Sequence, residues 1–565
     1  MSAQPIEVDL LVIGSGAGGM AAALRAQSLG ANVVVAEASD QYGGSTAISG
    51  GVCWVGNNPK IGAAGIEDSD ADALRYLEHI TRGEVPRGRL EAFVGAAQRM
   101  MSWMESNTRV RFDPLVKYTD YYPEAPGGRT GGRSMESRPF DGAALGDELR
   151  HLRRPHPQSQ ILGKFGITAA QAHTMLAGNF RTTLLMGWLF FLYILRGFKR
   201  RRFGRDTHLV CGNALAGRLR ASLLDRSIPL WRNARATELI IEEGVVVGAV
   251  LERDGAPVTV RAKRGVVLAA GGFSRNAEMR QEHQRHPIET RWHAGNPHDL
   301  GDGIRLGVDA GAQLAWMREA WWTPVTLVPK SDLAWVLVVE KSLPHGIFVN
   351  QNGERFCNEA APYIDVVIDI YADQAKTGAS VPCFLVFDAT FRKRFPVGPI
   401  APGYAMPDSA VPRRYREGFL ERADTVEGLA EKLGVDPGAL RATVERFNGM
   451  ARAGRDDDFG RGASASDRYY GDARSTPNPC LGALETAPFY AIRVYPGDLG
   501  TKGGLVTDDA ARVLDAEGSA IPGLFATGNT MASVMGPTYP GAGGTISPAL
   551  TFGFVAAESA MASAG

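Results

Sequence analysis

An α/β fold (α+β over the whole chain) built around a doubly wound, Rossmann-like dinucleotide-binding domain is predicted by three observations. Val8–Ile13 is a short apolar run leading directly into Gly14-Ser15-Gly16-Ala17-Gly18-Gly19. An alanine-rich helix, Met20–Leu29, follows, and a second strand, Asn32–Glu37, closes on an acidic residue. Two further buried strands ending in glycine, at 265–273 and 520–529, lie far downstream. The first two observations together form the strand–turn–helix–strand unit of a dinucleotide site.

The roles within that unit follow from backbone chemistry. Gly14 makes the turn, Gly16 admits a pyrophosphate to the backbone, and Gly19 lets helix and strand pack closely. Ser15, Ala17 and Gly18 complete the turn, and Glu37 is placed for ribose hydroxyls. NAD and FAD both suit this much. The loop 41–51, with Gly43, Gly44, Ser45, Thr46, Ser49, Gly50 and Gly51, decides for FAD. A simple dehydrogenase has no need of it, whereas a flavin extends well beyond its pyrophosphate.

At 565 residues the chain exceeds one ordinary domain. Its 61 Lys and Arg balance 61 Asp and Glu, so no global field favours nucleic acid. Five cysteines are scattered without a C-x-x-C, which argues against a disulfide framework, a zinc or other metal site, and a redox dithiol. Dispersed thiols and a polar start without a signal-peptide pattern lead to an expected cytoplasmic location.

The remaining segments are read in order. Residues 62–107 have amphipathic helical patterning, and 118–129 is an irregular Tyr-, Pro- and Gly-rich loop. Leu184–Leu195 is almost wholly apolar and precedes a basic run through Arg205. Twelve residues are too few to span a bilayer, which takes ~20. Peripheral membrane contact through 184–205, on the inner face, is the expectation; a buried helix or an oligomer contact is the alternative. A helix at 214–224 and strands at 237–242 and 245–252 follow. His345–Asn350 and Arg355–Glu359 are expected to pair as a hairpin around Gln351–Glu354. Residues 411–455 are helical, and 461–478 is a polar loop. Near the C-terminus, Gly536–Gly544 is a glycine-rich turn holding Tyr539, followed by a helix that Thr545 or Ser547 can cap and in whose first turn Pro548 fits.

Taken together, these segments resemble the FAD branch of the two-dinucleotide-binding-domain flavoproteins that contains fumarate reductases and 3-ketosteroid Δ1-dehydrogenases. The resemblance covers most of the chain apart from an insertion near 150–210. It implies an FAD-binding domain formed by 1–323 and 497–565, with a catalytic, capping α+β domain at 324–496. It further implies that FAD is bound without a covalent link, and that Ala270, Gly271, Asp302, Gly528, Asn529, Thr545 and Ile546 complete its site. Residues 500–507 lack the histidine of the fumarate reductases, having Thr501-Lys502, and no basic residue lies between Tyr539 and Ile546 to hold a carboxylate.

The steroid branch is therefore implied, and with it the 1,2-desaturation of a 3-ketosteroid. Tyr363 would take the C2 proton, with Tyr121 (or Tyr122, one residue on) tuning it. Tyr539 and the Gly543 N–H would hold the C3 enolate while C1 gives a hydride to flavin N5. An external electron acceptor, such as a quinone, is a further implied partner. Competing readings are a 3-keto-5α-steroid 4-dehydrogenase, a fumarate-reductase-like enzyme, and a non-catalytic, membrane-associated flavin module.

Overall fold

The computed structural model describes residues 4–161, 163–176 and 180–562. Its organising element is a six-stranded sheet drawn from both ends of the chain. Leu10–Ile13, fully buried, runs parallel to Val33–Ala36 on one side and Val266–Leu268 on the other. Ala520–Ala526 continues the parallel order beside Val266–Leu268, and Arg512–Leu514 closes that edge antiparallel. Continuous burial explains why Leu10–Ile13, Val33–Ala36 and Val266–Leu268 are unbroken apolar runs rather than alternating ones. Helix Ala17–Ser28 packs on this sheet against the C-terminal helix Ile546–Ala562. A Cβ on Gly553 would lie 2.2 Å from the carbonyl oxygen of Gly18, so the two helices touch backbone to backbone.

The run 8–13 is not one strand. Ile6–Val8 pairs with Val260–Ala262 in a second sheet, completed by Val245–Arg253 and Ala234–Glu242. The chain breaks at Asp9, whose carboxylate accepts the Asn32 N–H at 2.7 Å. The loop at 41–51 also differs from expectation. It contains a short helix, Gly44–Ile48, entered through Gly43 at φ +105°.

A second six-stranded sheet forms from the middle and later parts of the chain. Its long strand, Phe489–Thr501, pairs with Ala320–Thr326, Cys383–Phe387 and the short Glu421–Ala423. Gly346–Val349 joins at Cys383–Phe387, not at Arg355–Glu359. The expected hairpin fails because Glu359 has another use. Its carboxylate accepts the Phe348 N–H at 3.0 Å and pairs with Arg355 at 2.8 Å and Arg461 at 3.1 Å. Arg355 also pairs with Asp456 at 2.9 Å. The supposed return strand is thus the acidic centre of a buried ion cluster. Helices Val426–Leu433 and Pro437–Ala453 cover the outer face of this sheet through Leu429, Leu440, Val444 and Phe447. The stretch 461–478 is not wholly loop, since Ala465–Tyr469 is helical.

Helix Phe180–Leu195 seats Leu189 on the body, while Leu184, Trp188, Phe191 and Leu195 are 49–62% exposed. The basic helix Gly197–Phe203 follows it. Among the described residues no helix is long and apolar enough to cross a membrane.

Removing the shared carboxylate should be costly. Glu359→Ala leaves two buried guanidiniums short of a partner and is expected to lower stability by about 3–5 kcal/mol in urea denaturation. Burial pushes the Glu359 carboxyl up, but Arg355 and Arg461 outweigh it and hold it below the usual range. Its stabilisation is therefore present at neutral pH and is lost only as pH falls through that depressed value.

Candidate active site

A cavity of ≈ 420 Å³ lies at the carboxyl ends of the first sheet's parallel strands, where Ile13, Ala36 and Ala269 reach its wall. Open α/β sheets bind ligands at this edge. Of the cofactor-binding residues expected from the sequence, all but Gly19 and Gly43 line it. Those two stand behind the wall. A Cβ at Gly19 would sit 2.0 Å from the Gly14 carbonyl oxygen, and Gly43 donates its N–H to the Ser15 hydroxyl at 3.0 Å.

The wall suits a flavin dinucleotide. A Cβ on Gly16 would meet nothing closer than 3.8 Å, so this glycine keeps its space free on the cavity side. Glu37 is buried at the rim, accepting the Ser15 hydroxyl at 2.5 Å and the Ser39 N–H at 3.0 Å, which aims the carboxylate. The Thr46 hydroxyl caps Ala17 N–H at 2.9 Å, and Ser45 is tied to the buried Asp299 at 2.9 Å. Asn529 accepts the Trp321 indole N–H at 3.1 Å.

The other end of the cavity is lined by phenols. Tyr118, Tyr121, Tyr363, Tyr470 and Tyr539 all reach it. The Tyr121 ring is 5.6 Å from that of Tyr363 and 5.2 Å from that of Tyr539. Tyr363 is the first residue of helix Tyr363–Thr377, and Tyr539 lies in the glycine-rich loop with its hydroxyl 3.2 Å from Thr545. Burial pushes the Tyr363 phenol above its ordinary value, while the hydroxyls of Tyr470, Tyr118 and Tyr121 pull it back. The Tyr118 and Tyr470 hydroxyls are 2.7 Å apart. Gly543 has φ +97°, and its carbonyl accepts the Trp54 and Ser547 N–H groups at 3.2 and 3.0 Å.

Between the two tyrosines left open by the loop, Tyr121 faces the cavity. The Tyr122 hydroxyl turns away and donates to Asp365 at 3.0 Å. Sequence reasoning missed Tyr118 and Tyr470. The first stood three places before Tyr121, and the second formed a Tyr469-Tyr470 pair inside an otherwise polar stretch.

Buried polar contacts fix these loops. The Pro540 carbonyl accepts the Tyr121 N–H at 3.1 Å and the Tyr76 hydroxyl at 2.6 Å, joining the first tyrosine loop to the last. Next to Tyr121 in sequence, Asp120 pairs with Arg133 at 2.8 Å, and Arg133 pairs with Asp68 at 2.6 Å. Asp120 also accepts the Trp54 indole N–H at 2.8 Å. Burial pushes its carboxyl up to about 6, against the pull of Arg133.

Residues 9–546 match the FAD binding domain family, and the chain is a flavoprotein of that class that takes FAD as its cofactor. Relatives define the branch. The 3-oxosteroid 1-dehydrogenase of Mycolicibacterium smegmatis is 38% identical, covering 99% of this chain and 98% of its own length. The enzyme of that name from Mycobacterium tuberculosis is 40% identical over 98% of both. The crystal structure of 3-ketosteroid Δ1-dehydrogenase from Sterolibacterium denitrificans, in complex with 1,4-androstadiene-3,17-dione, superposes with a TM-score of 0.96. It is 43% identical, and the match spans 99% of this chain and all of that one. The chain belongs to the 3-oxosteroid 1-dehydrogenase family.

Glu37 offers a direct test of the dinucleotide end. Glu37→Ala is expected to weaken FAD retention roughly tenfold, the ~1.4 kcal/mol scale of one lost hydrogen-bonded contact. The ratio of flavin to protein absorbance after extensive dialysis measures it.

Proposed function

We propose that the chain desaturates the 1,2 bond of a 3-ketosteroid, with Tyr363 as base and the Tyr539 hydroxyl and Gly543 N–H as the carbonyl clamp. The observation that carries this reading is Tyr121, whose ring touches both Tyr363 and Tyr539 and so brings two distant tyrosines into one cavity. A second support is the absence of any basic residue from Tyr539 to Ile546, which favours a neutral carbonyl over a carboxylate.

The C2 proton of such a substrate is acidic because its loss places charge on the C3 oxygen. Tyr539 and Gly543 supply donors to that oxygen, each worth roughly 3–4 kcal/mol in a dry site. Tyr363 accepts the proton, and hydrogen bonds from Tyr118, Tyr121 and Tyr470 stabilise its ionised form. Gly14–Gly18, Glu37, Gly44–Thr46 and Gly528–Asn529 would hold FAD, which when bound would supply the hydride acceptor for C1. Turnover would need an external two-electron acceptor, for which a quinone is suited. The exposed apolar face of helix Phe180–Leu195 and the cations after it provide peripheral contact with the inner face of a membrane, from which a steroid and a quinone are both reached.

Tyr363→Phe is expected to abolish turnover of a 4-ene-3-ketosteroid with a dye acceptor while FAD stays bound; retained turnover refutes the base. Tyr539→Phe should cost about 10²–10³ in kcat. For the membrane contact, Ser at Trp188, Phe191 and Leu195 together should abolish co-sedimentation with vesicles. Equal sedimentation of that variant removes the contact from the account.

A further inference from the structure

Two lysines are buried beside this site, Lys341 at 2% and Lys502 at 0% exposure. Among the described residues neither forms an ion pair with a carboxylate. Each instead donates to two backbone carbonyls. Lys341 Nζ bonds Glu359 O at 3.0 Å and Ala361 O at 2.5 Å, the residues just before Tyr363. Lys502 Nζ bonds Gly536 O at 3.0 Å and Thr538 O, just before Tyr539.

Each ammonium also lies over an aromatic ring. Lys341 is 5.4 Å from the centre of the Tyr363 ring. Lys502 is 4.4 Å from that of Trp321, which in turn meets the Tyr539 ring edge-on at 4.8 Å. The Trp321 indole N–H bonds Asn529 on the cofactor wall, so the clamp and that wall share one anchor. The Lys502 backbone is itself pinned, its N–H to Glu319 O and its carbonyl to Ser533 N–H, each at 3.0 Å.

We propose that Lys341 and Lys502 are paired positioning residues, Lys341 setting the base Tyr363 and Lys502 setting the clamp Tyr539. The proposal rests on the roles given above to those tyrosines. Burying an ammonium without a carboxylate is costly, and an apolar side chain would fill the same volume without that cost. Three N–H donors on a compact, flexible-stemmed cation, however, can hold two carbonyls and face a ring at once. Burial lowers Lys341 to about 8 and Lys502 to about 7, against the weaker opposing pull of Asp467 on the first and Glu319 on the second. The cations thus act on the backbone, leaving the substrate contacts to the phenols.

Lys341→Met and Lys502→Met separate the two roles. Both should retain FAD and lose at least tenfold in kcat. A 1,4-dien-3-one product keeps the C3 carbonyl, and its one remaining C2 hydrogen is vinylic and not acidic. Its affinity, read from the perturbed flavin spectrum, should fall at least tenfold in Lys502→Met and stay within twofold in Lys341→Met. Lys341→Met should instead show a larger kinetic isotope effect with steroid deuterated at C2. Lys341→Arg and Lys502→Arg should recover part of the lost rate. A Met variant that does not fold is replaced by Gln, which keeps one donating group, with the same readouts. Wild-type kcat in either Met or Gln variant overturns that arm, as does equal loss of product affinity in both. If Tyr363→Phe is inactive while Lys341→Met is not, the base assignment stands and the positioning role falls.

Discussion

Desolvation is the constraint on which the site depends. Tyr118, Tyr121, Tyr363 and Tyr539 are all buried, and burial raises the phenol of each. For a donor such as Tyr539 this is an advantage, since a phenol that resists ionisation keeps its proton for a carbonyl. For Tyr363 in its proposed role as base it is an obstacle. The neighbouring hydroxyls oppose it, and the same apolar surroundings that disfavour a lone phenolate strengthen the hydrogen bonds that reach it. On the proposed roles, one environment serves two tyrosines with opposite tasks, and the difference lies in how many hydroxyls face each.

Such a site tolerates little slack, and the scaffold reflects that. The phenols come from residues 118–121, 363, 470 and 539, far apart in the chain. The Pro540 carbonyl ties the Tyr121 loop to the Tyr539 loop, Arg133 with Asp68 and Asp120 anchors the residue before Tyr121, and the two lysines hold the chain before Tyr363 and Tyr539. The larger ion cluster at Glu359 stands directly before Tyr363 and occupies the edge of Gly346–Val349. Forfeiting a hairpin there leaves the approach to Tyr363 fixed by charge-assisted contacts.

The dinucleotide end was legible in the sequence because its signals are local. A strand, a glycine turn, a helix and a terminal acid fall within residues 8–37, and each glycine has a backbone reason to be there. Tyr539, Gly543 and Tyr363 emerged by resemblance on short, distinctive motifs. Tyr118 and Tyr470 did not, because what recruits them is a contact 352 positions away in sequence, which no local pattern carries. The hairpin at 345–359 was misread for a related reason: turn chemistry at Gln351–Glu354 favoured it, but a buried arginine pair claimed Glu359 first. Likewise the buried lysines look, as sequence, like ordinary charged residues, and only burial reveals what they hold.

The central claim is that this cavity grips a C3 ketone and desaturates the bond between C1 and C2. The most direct measurement is product identity in a single turnover. Holoprotein is mixed without oxygen or added acceptor with one equivalent of a 4-ene-3-ketosteroid, and flavin colour and steroid are followed together. The account predicts bleaching of the yellow flavin matched mole for mole by 1,4-dien-3-one. Unchanged flavin with recovery of intact steroid, or bleaching with unsaturation elsewhere in the ring system, would contradict it.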